Sequence, residues 1–184
     1  GGDTFETATM IEALPYTDNG STVGLVADYG PYADLSGLVC DIDGYYSAAS
    51  TGSGADAVYS IDLAEEANVN ISLCLSTFDT GLGVFTADGV LVAANDDFCS
   101  TQSEITCQMP AGMYYIVVSG WGTSEGDYTL NVDVLDDPSP VAGYAVVRDG
   151  DLVGIAEGVD VTNFTEFVYN PEMIEGGTYT YTVS

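Results

Sequence analysis

Residues 70–97 read Asn-Ile-Ser-Leu-Cys-Leu-Ser-Thr-Phe-Asp-Thr-Gly-Leu-Gly-Val-Phe-Thr-Ala-Asp-Gly-Val-Leu-Val-Ala-Ala-Asn-Asp-Asp, and this stretch decides the fold. Val69, Ile71, Leu73 and Leu75 alternate with polar neighbours, the period of a strand with one apolar face. Asp79-Thr80-Gly81 is expected to turn the chain, Leu82 to Thr86 to form a strand, and Asp88-Gly89 to turn a hairpin into Val90–Ala94. Carboxylates at 79, 88, 96 and 97 then fall at strand ends, where loops gather.

Outward from this meander the pattern repeats. Asp56–Leu63, Glu104–Met109, Met113–Gly120 and Asp127–Val134 read as strands, separated by turns such as Pro110-Ala111-Gly112. Ser21 to Val26 also reads as a strand. The one expected helix is Thr7–Leu14, ended by Pro15. Short strands at such spacings with so little helix predict an all-β protein built as an antiparallel sandwich.

The 184 residues contain one Arg (Arg148), no Lys, no His and 29 acidic residues, for a net charge of −28. Nothing in such a chain neutralises phosphates, so nucleic acid and anionic membrane surfaces are excluded as partners. Self-repulsion lowers stability, and bound cations relieve it. Thirteen Tyr, six Phe and 46% hydrophobic residues argue against a disordered acidic chain. No apolar run is long enough for membrane insertion. A start at Gly1 fits a processed secreted protein or a portion of a longer one.

Cysteines 40, 74, 99 and 107 lack metal-type spacing and point to disulfides in an oxidising compartment. Four cysteines allow three pairings. Cys99–Cys107, closing a short acidic loop, and Cys40–Cys74, tying a Gly/Ser-rich loop to the meander, are the pairings expected.

Several pieces in order carry a resemblance: Gly2-Asp3-Thr4, Ala55–Ser60, Phe78-Asp79-Thr80, Asn95-Asp96-Asp97, Ala111–Gly120 and Gly126–Leu130. Over about residues 1–135 the chain resembles the bacterial pre-peptidase C-terminal domain. That implies a jelly-roll-like β-sandwich on a secreted bacterial protein, doing accessory or adhesive rather than catalytic work. It also resembles the collagen-binding domains of clostridial collagenases, some of which bind calcium. Residues 136–140 (Asp-Asp-Pro-Ser-Pro) form a linker by composition. Over 141–184, Gly143–Gly150 and Gly176–Val183 resemble strands of a fibronectin type III domain lacking its first two strands and its last.

Phe78-Asp79-Thr80-Gly81 matches an aspartic-protease signature, but that chemistry needs two such loops, and no second one exists. Without His or Lys a Ser or Cys nucleophile has no ordinary base, and no carboxylate pair stands out for glycoside hydrolysis. The acidic loops suit Ca²⁺, which takes six to eight oxygen ligands. Asp79, Asp96 and Asp97, with Glu6 or Asp3, are the expected ligands. Asp41-Ile42-Asp43-Gly44 opens like an EF-hand loop but has Gly52 at the twelfth position, so an EF-hand is rejected. Sequons at Asn19, Asn70 and Asn163 are glycosylation candidates, as are Thr4 and Thr80 in Asp-Thr pairs. Trp121, between two glycines, is a candidate ligand contact.

These features describe an extracellular, non-enzymatic structural or adhesive protein. On this reading it self-associates into a fibre, as strands lent between chains complete the C-terminal domain. A polysaccharide or protein surface is the other partner expected. The alternative is an accessory domain of a secreted bacterial peptidase, and the third reading is a single-motif aspartic protease.

Overall fold

The computed structural model of the chain describes residues 1–32 and 51–135, and the backbone of the strands at 144–148, 151–156 and 181–183. Two compact units divide it, Gly1–Leu135 and Asp136–Ser184. The first holds nine strands: β1 (Thr9–Ile11), β2 (Tyr16–Ser21), β3 (Ala57–Leu63), β4 (Ala67–Ser72), β5 (Thr80–Thr86), β6 (Leu91–Asn95), β7 (Glu104–Met109), β8 (Gly112–Gly120) and β9 (Asp127–Leu135). They form a five-stranded sheet in the order β1-β3-β8-β5-β6 and a four-stranded sheet in the order β2-β9-β4-β7. All pairings are antiparallel except β1 on β3. The result is the β-sandwich that the alternation predicts.

Tyr59, Ile61, Leu82, Val84, Ile116 and Val118 of the first sheet share one core with Val69, Ile71, Ile105, Met109, Leu130 and Val132 of the second. Successive strand residues point to opposite faces. Val58, Phe85 and Val117 therefore leave that core and join Tyr32, Leu91 and Ala94 in a second cluster. The five-stranded sheet is thus buried on both faces, and β3, β5 and β6 carry near-continuous apolar runs. Phe5 lies flat between Tyr29 and Tyr115, with ring centroids 4.0 and 4.1 Å away. The β5–β6 hairpin turns at Gly89, whose φ of +79° favours glycine.

Four segments depart from expectation. The Thr7–Leu14 helix is absent: Phe5–Thr7 is a single 3₁₀ turn and Thr9–Ile11 is a strand. Ile11 is buried while Met10 is 59% exposed, a period of two. Pairing with Tyr59–Ile61 on an open sheet edge outweighs helix propensity in so short a segment. The strand expected at Ser21–Val26 instead ends at Ser21, and the chain turns at Val23-Gly24. The strand whose alternation reads through Leu75 stops at Ser72, leaving Leu75 on a turn, 71% exposed. Asp79-Thr80-Gly81 does not turn the chain either, because β5 begins at Thr80.

The second unit contributes β10 (Tyr144–Arg148), β11 (Asp151–Ala156) and β12 (Tyr181–Val183) in an antiparallel sheet ordered β11-β10-β12. Asp41–Gly44 and the linker lie outside the described residues.

Candidate metal centre

β5 starts and β6 ends at the same edge of the sandwich, since Leu82 pairs with Asn95. Residues just outside that pair must meet. Asp79 precedes β5, and Asp96 and Asp97 follow β6; one carboxylate oxygen from each lies within 4.8 Å of the others. Asp96 is buried, at 1% exposure, and its two partners are half-buried. Burial first, and the Asp97 charge second, push the Asp79 carboxyl above its ordinary value. Three carboxylates this close repel one another, and a divalent cation or a proton relieves the repulsion.

Neighbouring loops hold the cluster in place. Ser103, wholly buried, brings its Oγ 2.8 Å from the carbonyl oxygen of Asp96 and 2.9 Å from that of Thr80. Thr80 Oγ1 lies 3.1 Å from Ser103 Oγ and accepts the Ser103 N–H at 2.9 Å. Thr80 N–H donates to Thr101, and Gln102 Nε2 to the carbonyl of Phe78. Trp121 donates its backbone N–H to the carbonyl of Asp79 at 3.1 Å, and its side chain is 43% exposed. Trp121 therefore stands beside the acidic cluster rather than capping the core.

Cys74 pairs with Cys99, with Cα atoms 5.7 Å apart. This corrects both expected pairings, Cys40–Cys74 and Cys99–Cys107. Cys74 on the turn after β4 and Cys99 in the loop after β6 reach the same end of the sandwich. Cys107 faces the core from within β7, at 3% exposure, and points away from that loop. It too is disulfide-bonded.

Asp3 and Glu6 do not reach the cluster. Asp3 Oδ1 accepts the Val26 N–H at 2.9 Å. Glu6 belongs to the 3₁₀ turn whose Phe5 contacts Phe85, at the far end of β5. Asp88 sits on the β5–β6 hairpin, also at the far end. Thr80 is wholly buried and hydrogen-bonded to Ser103, so its hydroxyl is closed to a glycosyltransferase. Thr4 contacts Thr7 on the surface. Asn70 Nδ2 donates to Glu104 and Thr106, whereas Asn19 is exposed and uses only Oδ1, accepting from Thr129. Asn163 lies outside the described residues. Sequence reading missed Ser103, because nothing in Gln-Ser-Glu separates a clasp from an ordinary loop serine.

The comparisons add little to the geometry. No family model matches the chain, and no curated protein does. Among solved structures, the chain is similar to the pre-peptidase C-terminal domain of a collagenase from Bacillus anthracis. The likeness has 18% identity and a TM-score of 0.44, over 68% of this chain and 94% of that one.

Proposed function

We propose that this chain is a non-catalytic binding module of a secreted protein, which fixes its host to an insoluble protein or polysaccharide surface and is held in shape by calcium. The supporting observation is one end of the sandwich: Asp79, Asp96 and Asp97 converge there, with exposed Trp121 tied to Asp79. Ca²⁺ bound to those oxygens would crosslink the β5 and β6 ends. The chain lacks His and Lys, and Asp79 lies in a lone Asp-Thr-Gly, so acid–base chemistry has few groups to use. Attachment to a secreted bacterial peptidase suits this reading, as does an extracellular site. No helix among the described residues is long and apolar enough to cross a membrane. The test is co-sedimentation of the chain with insoluble collagen, chitin and cellulose, with Ca²⁺ or with chelator. Retention on at least one matrix, reduced by chelator, is expected; no retention on any of them defeats the reading.

A second reading, a filament subunit joined by donated strands, draws on the second unit. Its described strands make a sheet with β11 and β12 at the edges, and an unpaired edge is a template for another chain. The fibronectin type III resemblance belongs to this reading. Sedimentation velocity of the full chain in calcium buffer decides it: concentration-dependent polymers support assembly, and a monodisperse monomer ends it.

A further inference from the structure

The segment carrying Leu75 follows β4 and meets the start of β9, where Thr77 bonds Asp127. Together with β2 and the start of β9 it encloses an open cleft of about 370 Å³. Polar groups of Asn19, Ser21, Thr77, Asp127 and Thr129 line it, and Leu75 supplies an apolar wall. The Asp127 carbonyl accepts both the N–H and the hydroxyl of Thr77, each at 2.9 Å, which fixes that side of the cleft. The Asp127 side chain is exposed, and among the described residues its carboxylate makes no hydrogen bond. Leu75 at 71% exposure contributes little to the core. An apolar side chain beside an exposed carboxylate is what the aliphatic stem and charged head of a long cationic residue require.

We propose that this cleft docks a lysine or arginine side chain from a basic polypeptide segment. The proposal rests on the reading of the chain as a binding module and names its partner class. Asp127 pairs with the cationic head, the hydroxyls of Ser21, Thr77 and Thr129 accept its remaining N–H groups, and Leu75 packs on the stem. Charge complementarity selects this occupant: at net −28 the protein's field concentrates cations and repels anionic ligands. A sugar ring fits less well. The cleft's only aromatic residue, Tyr128, is 2% exposed and offers no stacking face. Phe98 and Trp121 are 49% and 43% exposed. Phe98 adjoins Cys99, bridged to the Cys74 beside Leu75, and Trp121 bonds Asp79, so both sit at this end to meet apolar residues of the same partner.

The test uses the full chain and a fluorescent peptide of alternating Lys and Gly, read by anisotropy, with its Nε-acetylated form as control. Asp127→Asn is expected to weaken binding about tenfold, the effect of losing one close charge pair. Leu75→Ser is expected to weaken it severalfold, and acetylation to abolish it. Asp133→Asn removes an exposed carboxylate near the other end of β9 and is expected to change affinity by less than about twofold. Thermal melting confirms that each variant folds. Equal losses in Asp127→Asn and Asp133→Asn would reduce the binding to diffuse charge and overturn the site, as would no binding of the lysine peptide. So would a neutral cello-oligosaccharide whose binding, unlike the peptide's, responds to the cleft variants. If Asp127→Asn leaves peptide binding intact while the chain still sediments with an insoluble matrix, the cleft assignment falls and the module reading stands.

Discussion

Ser103 Oγ sits 2.8 Å from the carbonyl oxygen of Asp96, and the same hydroxyl meets the carbonyl of Thr80 at 2.9 Å. One buried side chain thus clamps the end of β6 to the start of β5, which fixes the spacing of Asp96 and Asp79. Ser103→Ala strips both carbonyls and Thr80 Oγ1 of this partner in a site without water access. The expected loss is about 1–3 kcal/mol of folding stability. Denaturant unfolding measures it, and calcium titration of the variant should show weaker binding than wild type. A variant as stable as wild type would mean the clamp is incidental.

The Cys74–Cys99 bridge closes a segment with a sequence separation of 25. By loop entropy it stabilises the fold by about 3.5 kcal/mol. The double variant Cys74→Ser, Cys99→Ser is expected to lose much of that and to loosen the loop carrying Asp96 and Asp97. Melting with and without Ca²⁺ checks both effects. Calcium should recover part of the loss, because it holds the same loop after β6 through Asp96 and Asp97.

Gly120 ends β8 directly before Trp121, and a methyl group there would run into the Ser124 carbonyl. Backbone cannot step aside as a flexible side chain does. Gly120→Ala is therefore expected to cost about 1–3 kcal/mol, the range for overpacking. It should also shift the Trp121 emission spectrum, since the turn holding the indole must move. An unchanged spectrum and melting temperature would contradict the close approach.

Most strands were legible because inward residues alternate and glycine, proline or aspartate marks their ends, as in Met113–Gly120 and Asp127–Val134. β2 was not. Its half-buried positions are Tyr16, Asp18 and Gly20, so the edge strand carries almost no apolar signal. β1 misled for the opposite reason: Met10, Ile11 and Leu14 suit a helical face, and parallel pairing with β3 leaves no local trace. The cluster of Asp79, Asp96 and Asp97 followed from strand ends, which sequence marks well. The disulfide pairing and the distance of Asp3 and Glu6 depend on which strands are neighbours, and that is set only in the assembled sheets.

Asp56 is wholly buried, and its Oδ2 accepts the N–H groups of Asp28 and Tyr29 at 2.7 and 2.9 Å. Burial raises its carboxyl above the ordinary 3.8, more than these bonds lower it. The folded state therefore holds this proton more tightly than the unfolded chain. The resulting penalty is absent below 3.8 and grows as pH rises through the raised folded value, so stability falls toward neutral pH. General repulsion among 29 acidic residues acts in the same direction. Asp56→Asn separates the two, keeping an oxygen for both N–H groups without a buried charge. Its stability curve is expected to be flatter than wild type from about pH 4 upward. Parallel curves in denaturant unfolding would remove Asp56 as the cause.

Calcium offers the most direct measurement at the cluster. One oxygen from each of the three carboxylates lies within 4.8 Å of the others, and their mutual repulsion works against the closed loop end. A cation bound only by the folded state stabilises it by mass action, about 2.7 kcal/mol at a hundredfold excess over the dissociation constant. Melting temperature is therefore expected to rise with millimolar Ca²⁺ and to fall on chelation, at constant ionic strength. Asp96→Asn should largely abolish the rise, because it removes the charge of the most buried ligand. Asp88→Asn, on the hairpin at the far end of β5, should leave it intact. Mg²⁺ is expected to substitute poorly, since it demands a tighter octahedral shell than three carboxylates on separate loops readily supply. Equal shifts in Asp96→Asn and Asp88→Asn would place the calcium effect in screening of the net charge rather than at this site.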